Sequence, residues 1–209
     1  MGQIHFLHKN MEKLNSIKVR EKLRGKGLTM FTPTDFHRLF NVSGYSVKNY
    51  LNRHLKSGLL IKLKNGLYAL REDIPPQYAI ANRLYLPSYI SFETALAHYH
   101  IIPETVYTVF SATPKASREF EAADTDYVYH RLKRRLFFGY TIIEIGGMKV
   151  QMAEPAKAVA DYLYFVALKK KILNDRMDLR EVKRGELFNI VRAFRIVAMN
   201  DLLESVYAK

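Results

Sequence analysis

The sequence predicts an α+β protein of two domains, and three observations lead to that prediction. Helical patterns fill the first third of the chain up to a single β-hairpin signal, whereas strand and helix patterns mix beyond it. Two consecutive prolines, Pro75-Pro76, separate these regions, because proline neither continues a central strand nor fits a helix interior. We therefore predict an N-terminal extension over residues 1–13, a first domain over 14–74 and a second domain over 75–209.

The first domain opens with two predicted helices. Residues 14–26 have an amphipathic pattern, in which the apolar residues on or near one stripe are Leu14, Ile17 and Leu23. The stretch TPTDFHRLF predicts a short second helix, capped either by Thr32, with Pro33 in the first helical position, or by Thr34. Basic residues of the first helix, such as Arg20, are compatible with ordinary solvated charge.

A third helix and a β-hairpin complete the first domain. Ser43 is in position to cap the helix, and Gly58 is suited to end it. The apolar stripe of this helix consists of Val47, Tyr50, Leu51 and Leu55. Asn65-Gly66 then predicts a type I′ hairpin turn, in which both central residues have positive φ. Helix, helix, short turn, helix and hairpin is the order of a winged helix-turn-helix.

The second domain is predicted to be a mixed α/β domain with a small antiparallel sheet and C-terminal helices. TVYTVFSAT reads as a strand, and two or three further strands follow, with a turn at Gly146-Gly147. Ser91 is predicted to cap a helix, and Pro155 lies in the first turn of another. Residues 176–207 have the pattern of two more amphipathic helices.

Most of the positive charge lies in the first domain. The formal net charge is +13, and residues 1–74 hold 14 Lys and Arg against 5 Asp and Glu, whereas residues 75–209 hold 19 against 15. Such a balance favours a polyanionic partner, either nucleic acid or an acidic membrane surface. Together with the order of elements, it predicts double-stranded DNA as the partner. The alternative is a protein-interaction module whose lysines serve solubility.

The outward face of the third helix is the candidate DNA-reading surface, because the major groove admits one helix and its first turns reach base edges. Asparagine pairs with adenine, arginine with guanine or phosphate, and hydroxyl groups bind phosphate oxygens. Two lysines before the hairpin turn are in position to contact the sugar-phosphate backbone. The candidate DNA-binding residues are Tyr45, Ser46, Lys48, Asn49, Asn52, Arg53, Lys56, Lys62 and Lys64.

The second domain offers one weak candidate for catalysis. Asp124, Asp126 and Glu144 are acidic residues that neighbouring strands can bring around Mg²⁺ for phosphoryl or nucleotidyl transfer. The chain lacks a Gly-Ser element before Asp-x-Asp and a Gly-rich phosphate loop, so we expect these residues to start a strand or to face solvent. We expect no enzyme activity, no cofactor and no metal. The basic run over 131–135 is either a solvated strand face or a second anion-facing patch.

The composition also indicates a compartment. The chain contains no cysteine, which excludes disulfides and thiolate chemistry. No apolar run approaches the roughly 20 residues of a membrane-spanning helix, and the first residues lack the apolar stretch of a signal peptide. We therefore expect a soluble, cytoplasmic protein without a membrane partner.

Three segments of the chain resemble one known family. GLYAL at the end of the hairpin, PSYISFETALAHYHIIPE over 87–104 and EPAKAVADYLY over 154–164 look like segments of the AbiEi antitoxins. These proteins belong to bacterial type IV toxin-antitoxin, or abortive infection, systems. The resemblance spans roughly residues 28–170, and the run SYISFETAL, which joins the two domains, is its most specific part.

The resemblance implies a function. It implies a winged helix-turn-helix that binds inverted repeats in its own promoter and represses the operon, followed by a non-enzymatic antitoxin domain. That domain opposes a cognate nucleotidyltransferase-like toxin without forming a stable complex with it. The DNA-reading positions that the resemblance implies are Tyr45, Ser46, Asn49 and Arg53, with Lys62 and Lys64 on the wing. Ser91, Glu93 and Glu154-Pro155 belong to the family pattern and are interpreted as helix N-terminal features.

Two other functions stay open on the sequence alone. One is a metal-dependent phosphoryl or nucleotidyl transferase that uses Asp124, Asp126 and Glu144. The other is a solitary winged-helix transcription factor whose second domain senses a ligand and has no toxin to oppose.

Overall fold

The chain is a mixed α+β protein that separates into two compact units between Pro75 and Pro76. The computed structural model describes residues 14–207, so the predicted N-terminal extension lies outside the described residues. The boundary predicted from the sequence lies one residue earlier than the boundary in the structure. The described residues form eight α-helices and two β-sheets, with one sheet in each unit.

The first unit contains three helices and a three-stranded antiparallel sheet. In chain order its elements are α1 (Ser16–Gly25), β1 (Met30–Phe31), α2 (Pro33–Phe40), α3 (Gly44–Lys56), β2 (Leu60–Lys64) and β3 (Leu67–Leu70). The strands pair in the order β1-β3-β2. Strand β1 was not predicted, because two residues are too few to show the alternation that marks a strand.

One side of each helix builds the core of the first unit. Val19 and Leu23 of α1 are fully buried and pack with apolar residues of α2, α3 and the sheet. The predicted stripe of α1 was wrong at Ile17, which is 55% exposed. Residues four apart share a helix face, so Val19 rather than Ile17 lies beside Leu23. The predicted stripe of α3 is confirmed: Val47, Tyr50 and Leu51 are buried, and Leu55 is partly buried against them.

Side-chain caps define where α2 and α3 begin. Thr32, the first of the two candidates, caps α2: its Oγ accepts a hydrogen bond from Asp35 N at 3.1 Å, and Asp35 Oδ2 accepts one from Thr32 N at 2.8 Å. Ser43 caps α3 as predicted, because its Oγ accepts a hydrogen bond from Ser46 N at 3.2 Å. These bonds satisfy N–H groups that a helix leaves unpaired in its first turn.

The turn between β2 and β3 is not the predicted type I′ turn. Gly66 has a φ of +77°, but Asn65 does not have a positive φ, so only one central residue adopts the required conformation. A β-bulge lies next to the turn, between Lys62 and Lys64. A type I′ turn is favoured in hairpins because its twist matches that of the strands, and a bulge also increases the local twist. This hairpin therefore closes with a bulge and a single left-handed residue.

Within the described residues, the second unit contains five helices and one six-stranded sheet. In chain order its elements are α4 (Gln77–Leu84), β4 (Tyr89–Ile90), α5 (Phe92–His98), β5 (Val109–Thr113), β6 (Arg118–Ala122), β7 (Thr125–Arg131), β8 (Tyr140–Ile145), β9 (Met148–Ala153), α6 (Pro155–Ala167), α7 (Arg184–Phe194) and α8 (Val197–Tyr207). The strands follow the order β6-β7-β5-β4-β9-β8 across the sheet.

The prediction of a small antiparallel sheet was wrong for this unit. The sheet is mixed, because β5 pairs with β7 and β4 pairs with β9 in parallel. Strands β4 and β6 were not predicted: β4 has two residues, and β6, with the sequence REFEA, is charged at three of five positions. Parallel pairs join strands that no tight hairpin connects, so a turn signal does not reveal them.

Helix α6 is the central helix of the second unit. Its residues from Ala156 to Phe165 are all buried, and it packs against α5, α7, α8 and β9. A helix that is buried on every side is expected to be apolar all round, yet two of these residues are charged, Lys157 and Asp161. None of the helices in residues 14–207 combines the length and the apolar character that crossing a bilayer requires.

Lys157 and Asp161 form an ion pair one turn apart on α6, and both side chains are fully buried. The hydroxyl groups of Tyr89 and Ser91 each donate a hydrogen bond to Asp161 Oδ2, both at 2.9 Å. Three aromatic rings lie 5.0–5.8 Å from the Lys157 ammonium: those of Tyr89, Phe138 and Phe194. The pair, the two hydroxyl groups and the rings are called the α6 network below.

Burial opposes the charges of the α6 network. It raises the pKa of Asp161 and lowers that of Lys157, whereas their mutual attraction acts against both shifts. Burial and the Asp161 carboxylate together hold the pKa of Tyr89 well above its usual range, so the phenol remains a donor. Ser91 directly precedes α5 as predicted, but its hydroxyl donates to Asp161 and does not cap the helix.

We predict that neutralising one member of the α6 network costs more than neutralising both. Asp161→Asn leaves the Lys157 ammonium buried without a counter-charge, so the free energy of unfolding should fall by about 3–5 kcal/mol. The double variant Lys157→Met, Asp161→Asn keeps an acceptor for Tyr89 and Ser91 and should lose less. Urea denaturation measures both values. A double variant less stable than Asp161→Asn would contradict this account.

The β8–β9 hairpin turns at Gly146-Gly147, where both residues have positive φ, +57° and +74°. A Cβ added to Gly146 lies 2.8 Å from Cγ of Pro76, whereas one added to Gly147 has no heavy atom within 4 Å. The two positions therefore share the same backbone requirement and differ in the space around them.

We predict that alanine at these two glycines distinguishes the cost of a left-handed backbone conformation from the cost of a steric contact with Pro76. Gly147→Ala should lower the free energy of unfolding by about 1–2 kcal/mol, the cost of a left-handed conformation for a residue with a Cβ. Gly146→Ala adds a contact with the rigid ring of Pro76 and should cost about 1–3 kcal/mol more. Chemical denaturation of both variants tests the difference, and equal losses would show that Pro76 does not constrain the turn.

Candidate nucleic-acid interface

Helix α3 presents a polar face opposite its buried side. At about 100° per residue, Tyr45, Asn49 and Asn52 lie within about 60° of one another, on the side of the helix away from the core. Tyr45 is 76% exposed, although large aromatic side chains are usually well buried. Six of the predicted DNA-binding residues are exposed and form what we call the α3 face: Tyr45, Lys48, Asn49, Asn52, Arg53 and Lys56.

Ser46 was predicted to face outward with these residues, but it is half-buried. Its Oγ lies 3.0 Å from Oγ of Ser43, and its backbone N–H donates to the same Ser43 oxygen. The hydroxyl of Ser46 is therefore part of the cap that starts α3.

The α3 face and the hairpin carry positive charge without acidic neighbours in the sequence. From Gly44 to Leu70 the chain contains five Lys and Arg and no Asp or Glu. Among residues 14–207, the side chains of Lys48, Arg53 and Lys56 form no ion pair. Their charges are available to an anionic partner.

Acidic residues of the first unit bind α1 instead. Glu72 and Asp73 directly follow β3, and they accept the guanidinium groups of Arg20, at 3.2 Å, and Arg24, at 2.6 Å from its Nε to Asp73 Oδ2. The hydrogen bonds between Arg24 and Asp73 lower the pKa of Asp73 and raise that of Arg24. The interpretation of Arg20 as ordinary solvated charge was thus wrong. The ion pairs offset the two arginines of α1, whose Lys18 and Lys22 remain exposed, whereas no ion pair in the part of the chain that the structure describes offsets the charges of the α3 face.

The two lysines predicted for the wing lie on β2. Lys62 is exposed, and its ammonium donates to Asn65 Oδ1 in the turn at 3.2 Å. Lys64 is half-buried at the end of the strand, beside the bulge. The β2–β3 hairpin therefore presents one lysine that is held against the turn and one that is only partly accessible.

Two aromatic side chains beside the α3 face pack together, of which Tyr50 is buried in the core and His54 is partly buried. The ring of His54 lies 4.1 Å from that of Tyr50, and burial, followed by the nearby Arg53 charge, lowers the pKa of His54. Burial also raises the pKa of Tyr50 to about 12. Both groups are uncharged near pH 7, so the charge of α3 comes from its lysines and arginine.

The structure does not bring the predicted acidic triad together. Asp124 lies in the β6–β7 turn and Asp126 on β7, near one edge of the sheet, whereas Glu144 lies on β8 at the opposite edge. Asp126 instead lies directly opposite Glu121 in the β6–β7 pair. Within residues 14–207, no three His, Asp or Glu side chains are placed to hold a metal ion. The triad therefore cannot support the metal-dependent transferase that the sequence left open.

The basic run over 131–135 divides between two environments. Arg135 donates to the backbone carbonyls of Ala193 and Phe194, at 3.1 Å for Phe194, and so satisfies groups at the C-terminal end of α7. Arg131, Lys133 and Arg134 are exposed. Leu132 and Leu136, between and after them, are fully buried. The run is therefore not one continuous basic strand face.

No protein-family model matches the sequence, and the comparison with curated proteins finds no significant match. The resemblance to AbiEi antitoxins thus rests on the three segments named above. Two of these segments meet in the α6 network: Tyr89 and Ser91 belong to PSYISFETAL, and Lys157 and Asp161 belong to EPAKAVADYLY.

Sequence reasoning missed the α6 network, although a signal was present. Lys157 and Asp161 are four residues apart in a helix that is otherwise apolar, a spacing that places opposite charges side by side. Their partners Tyr89 and Ser91 lie about 70 residues earlier in the chain, and no local pattern predicts that contact. Glu93, interpreted as a helix N-terminal feature, also binds a distant partner, since Lys171 Nζ donates to its Oε2 at 2.8 Å.

We predict that Ser43, rather than Ser46, supports the start of α3. Ser43→Ala removes the acceptor for Ser46 N and should lower the free energy of unfolding by about 1 kcal/mol. Ser46→Ala keeps that acceptor and should change it by less than about 0.5 kcal/mol. Thermal or urea unfolding of the two variants provides the measurement. A larger loss for Ser46→Ala would reverse the roles assigned to these serines.

Proposed function

We propose that this chain is a sequence-specific double-stranded DNA-binding protein that represses its own promoter. The observation that supports this best is the α3 face, which is exposed, polar and without acidic residues. A helix with such a face has the dimensions that the major groove admits, and its amide and basic side chains match the groups found on bases and phosphates. In this proposal α3 is the recognition helix.

The order of elements supports the same proposal. Helices α2 and α3, a turn of three residues between them and the β2–β3 hairpin follow one another as in a winged helix-turn-helix. The hairpin would then be the wing, with Lys62 and Lys64 near the sugar-phosphate backbone. Phosphate contacts supply much of the affinity of such proteins, and the positive charge on α3 and β2 is suited to them.

We further propose that the protein is the antitoxin of a type IV toxin-antitoxin system and opposes a nucleotidyltransferase-like toxin. The support is the resemblance of three segments to the AbiEi antitoxins, two of which lie in the second unit. Such an antitoxin needs no stable complex with its toxin, so the proposed direct partner is DNA. A solitary regulator with a ligand-sensing second unit is the alternative, and the neighbouring gene discriminates between them.

We predict that the charges of the α3 face bind phosphates. Lys48→Ala, Arg53→Ala and Lys56→Ala should each weaken binding to a labelled duplex from the chain's own upstream region. Each should also reduce the slope of log affinity against log salt by about one, because one fewer counterion is released. Fluorescence anisotropy over a salt series measures both effects.

Lys18→Ala is the matched control for these variants, because Lys18 is an exposed lysine on α1. It should bind DNA like the unmodified protein. Equal affinity for the upstream region and for unrelated DNA at moderate salt would contradict sequence-specific repression.

Co-expression tests the antitoxin role separately. The gene next to that of this chain is placed under an unrelated inducible promoter, and growth is compared with and without this chain. Growth should be restored both by the unmodified chain and by the variant Lys48→Ala, Arg53→Ala, since repression of the native promoter is not needed there. Failure of the unmodified chain to restore growth would remove the antitoxin proposal and leave DNA binding untouched.

A further inference from the structure

We infer that the bases read by α3 are A·T pairs, over about three adjacent positions of each binding site. This inference rests on the proposed function, since it assumes that α3 enters the major groove. It goes further by assigning a base composition to the site, and it depends on which side chains occupy the middle of the α3 face.

The middle of the face is formed by Tyr45, Asn49 and Asn52. These residues lie within about 60° around the helix axis, and at about 1.5 Å per residue they extend over about 10 Å. That length corresponds to about three base pairs at about 3.4 Å each. All three side chains are exposed, and the Tyr45 ring stands at the first turn, where recognition helices approach the bases.

These residue types match adenine and thymine. In the major groove adenine presents the N7 acceptor and the N6 donor, which the amide of Asn49 or Asn52 pairs with in two hydrogen bonds. Guanine presents two acceptors, N7 and O6, so the carbonyl oxygen of an asparagine finds no donor there. The ring of Tyr45 offers an apolar surface, and among the four bases of DNA only thymine carries a methyl group in the major groove.

Two of the residues that can read guanine, Lys48 and Arg53, lie to the sides of this middle, and the third, Lys56, lies in line with it about one turn later. Lys48 and Arg53 are roughly 70° to either side of it around the axis, and Lys56 lies about 6 Å beyond Asn52 along the axis. Side chains at the margins of a recognition helix approach the two phosphate backbones that border the groove. The face thus combines amides and an aromatic ring in its middle with positive charges at its two sides and at its C-terminal end.

Selection from a randomised duplex library, with the full-length chain as bait, tests the inference directly. We expect A·T pairs to be enriched at about three adjacent positions, and Asn49→Ala or Asn52→Ala to lose the preference at one of them. Enrichment of G·C pairs at those positions would overturn the inference while leaving DNA binding established. Absence of any selected sequence would overturn the proposed function itself.

Modified bases then assign each contact. Replacing the selected adenine by 7-deazaadenine removes N7 and should weaken binding roughly 5- to 100-fold for the unmodified chain, but not for the asparagine variant that has lost that position. Replacing thymine by deoxyuridine removes the methyl group and should weaken binding roughly fourfold, an effect that Tyr45→Ala abolishes and Tyr45→Phe retains.

Lys56→Ala is the control for these substitutions, because its loss should weaken all duplexes alike and leave both base effects unchanged. If the unmodified chain binds the modified and natural duplexes equally, the α3 side chains do not read these groups, and the inference fails.

Discussion

The packing of the second unit around α6 depends on how the buried charges of Lys157 and Asp161 are stabilised. Removing a carboxylate and an ammonium from water costs several kcal/mol per ion, and their attraction repays this only when the remaining polar groups are also satisfied. In the α6 network two hydroxyl groups complete the shell of Asp161, and aromatic rings surround Lys157. The pair thus requires the β4 segment to lie in one register against α6, a specificity that apolar contacts alone do not impose.

The first unit handles polar groups in a different way. Its caps at Thr32 and Ser43 satisfy the first N–H groups of α2 and α3, so each of these helices begins at a side-chain cap. Its acidic residues Glu72 and Asp73 hold the arginines of α1. Neither arrangement uses a residue of the α3 face. The helix is therefore positioned by groups that do not compete with an external ligand for it.

Local patterns predicted the helices of the first unit, the hairpin at Gly66 and the buried stripe of α3, because each depends on spacing within a few residues. They failed where a second segment decides the outcome. Strand β6 is charged and is recognisable only beside β7, and the order of the sheet places three strands between that of Asp126 and that of Glu144. The exposure of six residues on the outer side of α3 was predictable from helical spacing, whereas the half-burial of Ser46 and its bond to Ser43 were not.

The ion pairs of α1 have a consequence for the proposed binding to DNA. Surface pairs of this kind add little to stability, but they divide the charge of the first unit unequally. With Glu72 and Asp73 counted, α1 has a formal net charge of +1, whereas α3 has one of +3. A body with such an electric asymmetry is rotated by the field of a polyanion before any atoms touch. In the proposed function, the unit would then arrive with α3 already leading, and added salt would slow the encounter by removing this orientation as well as the attraction.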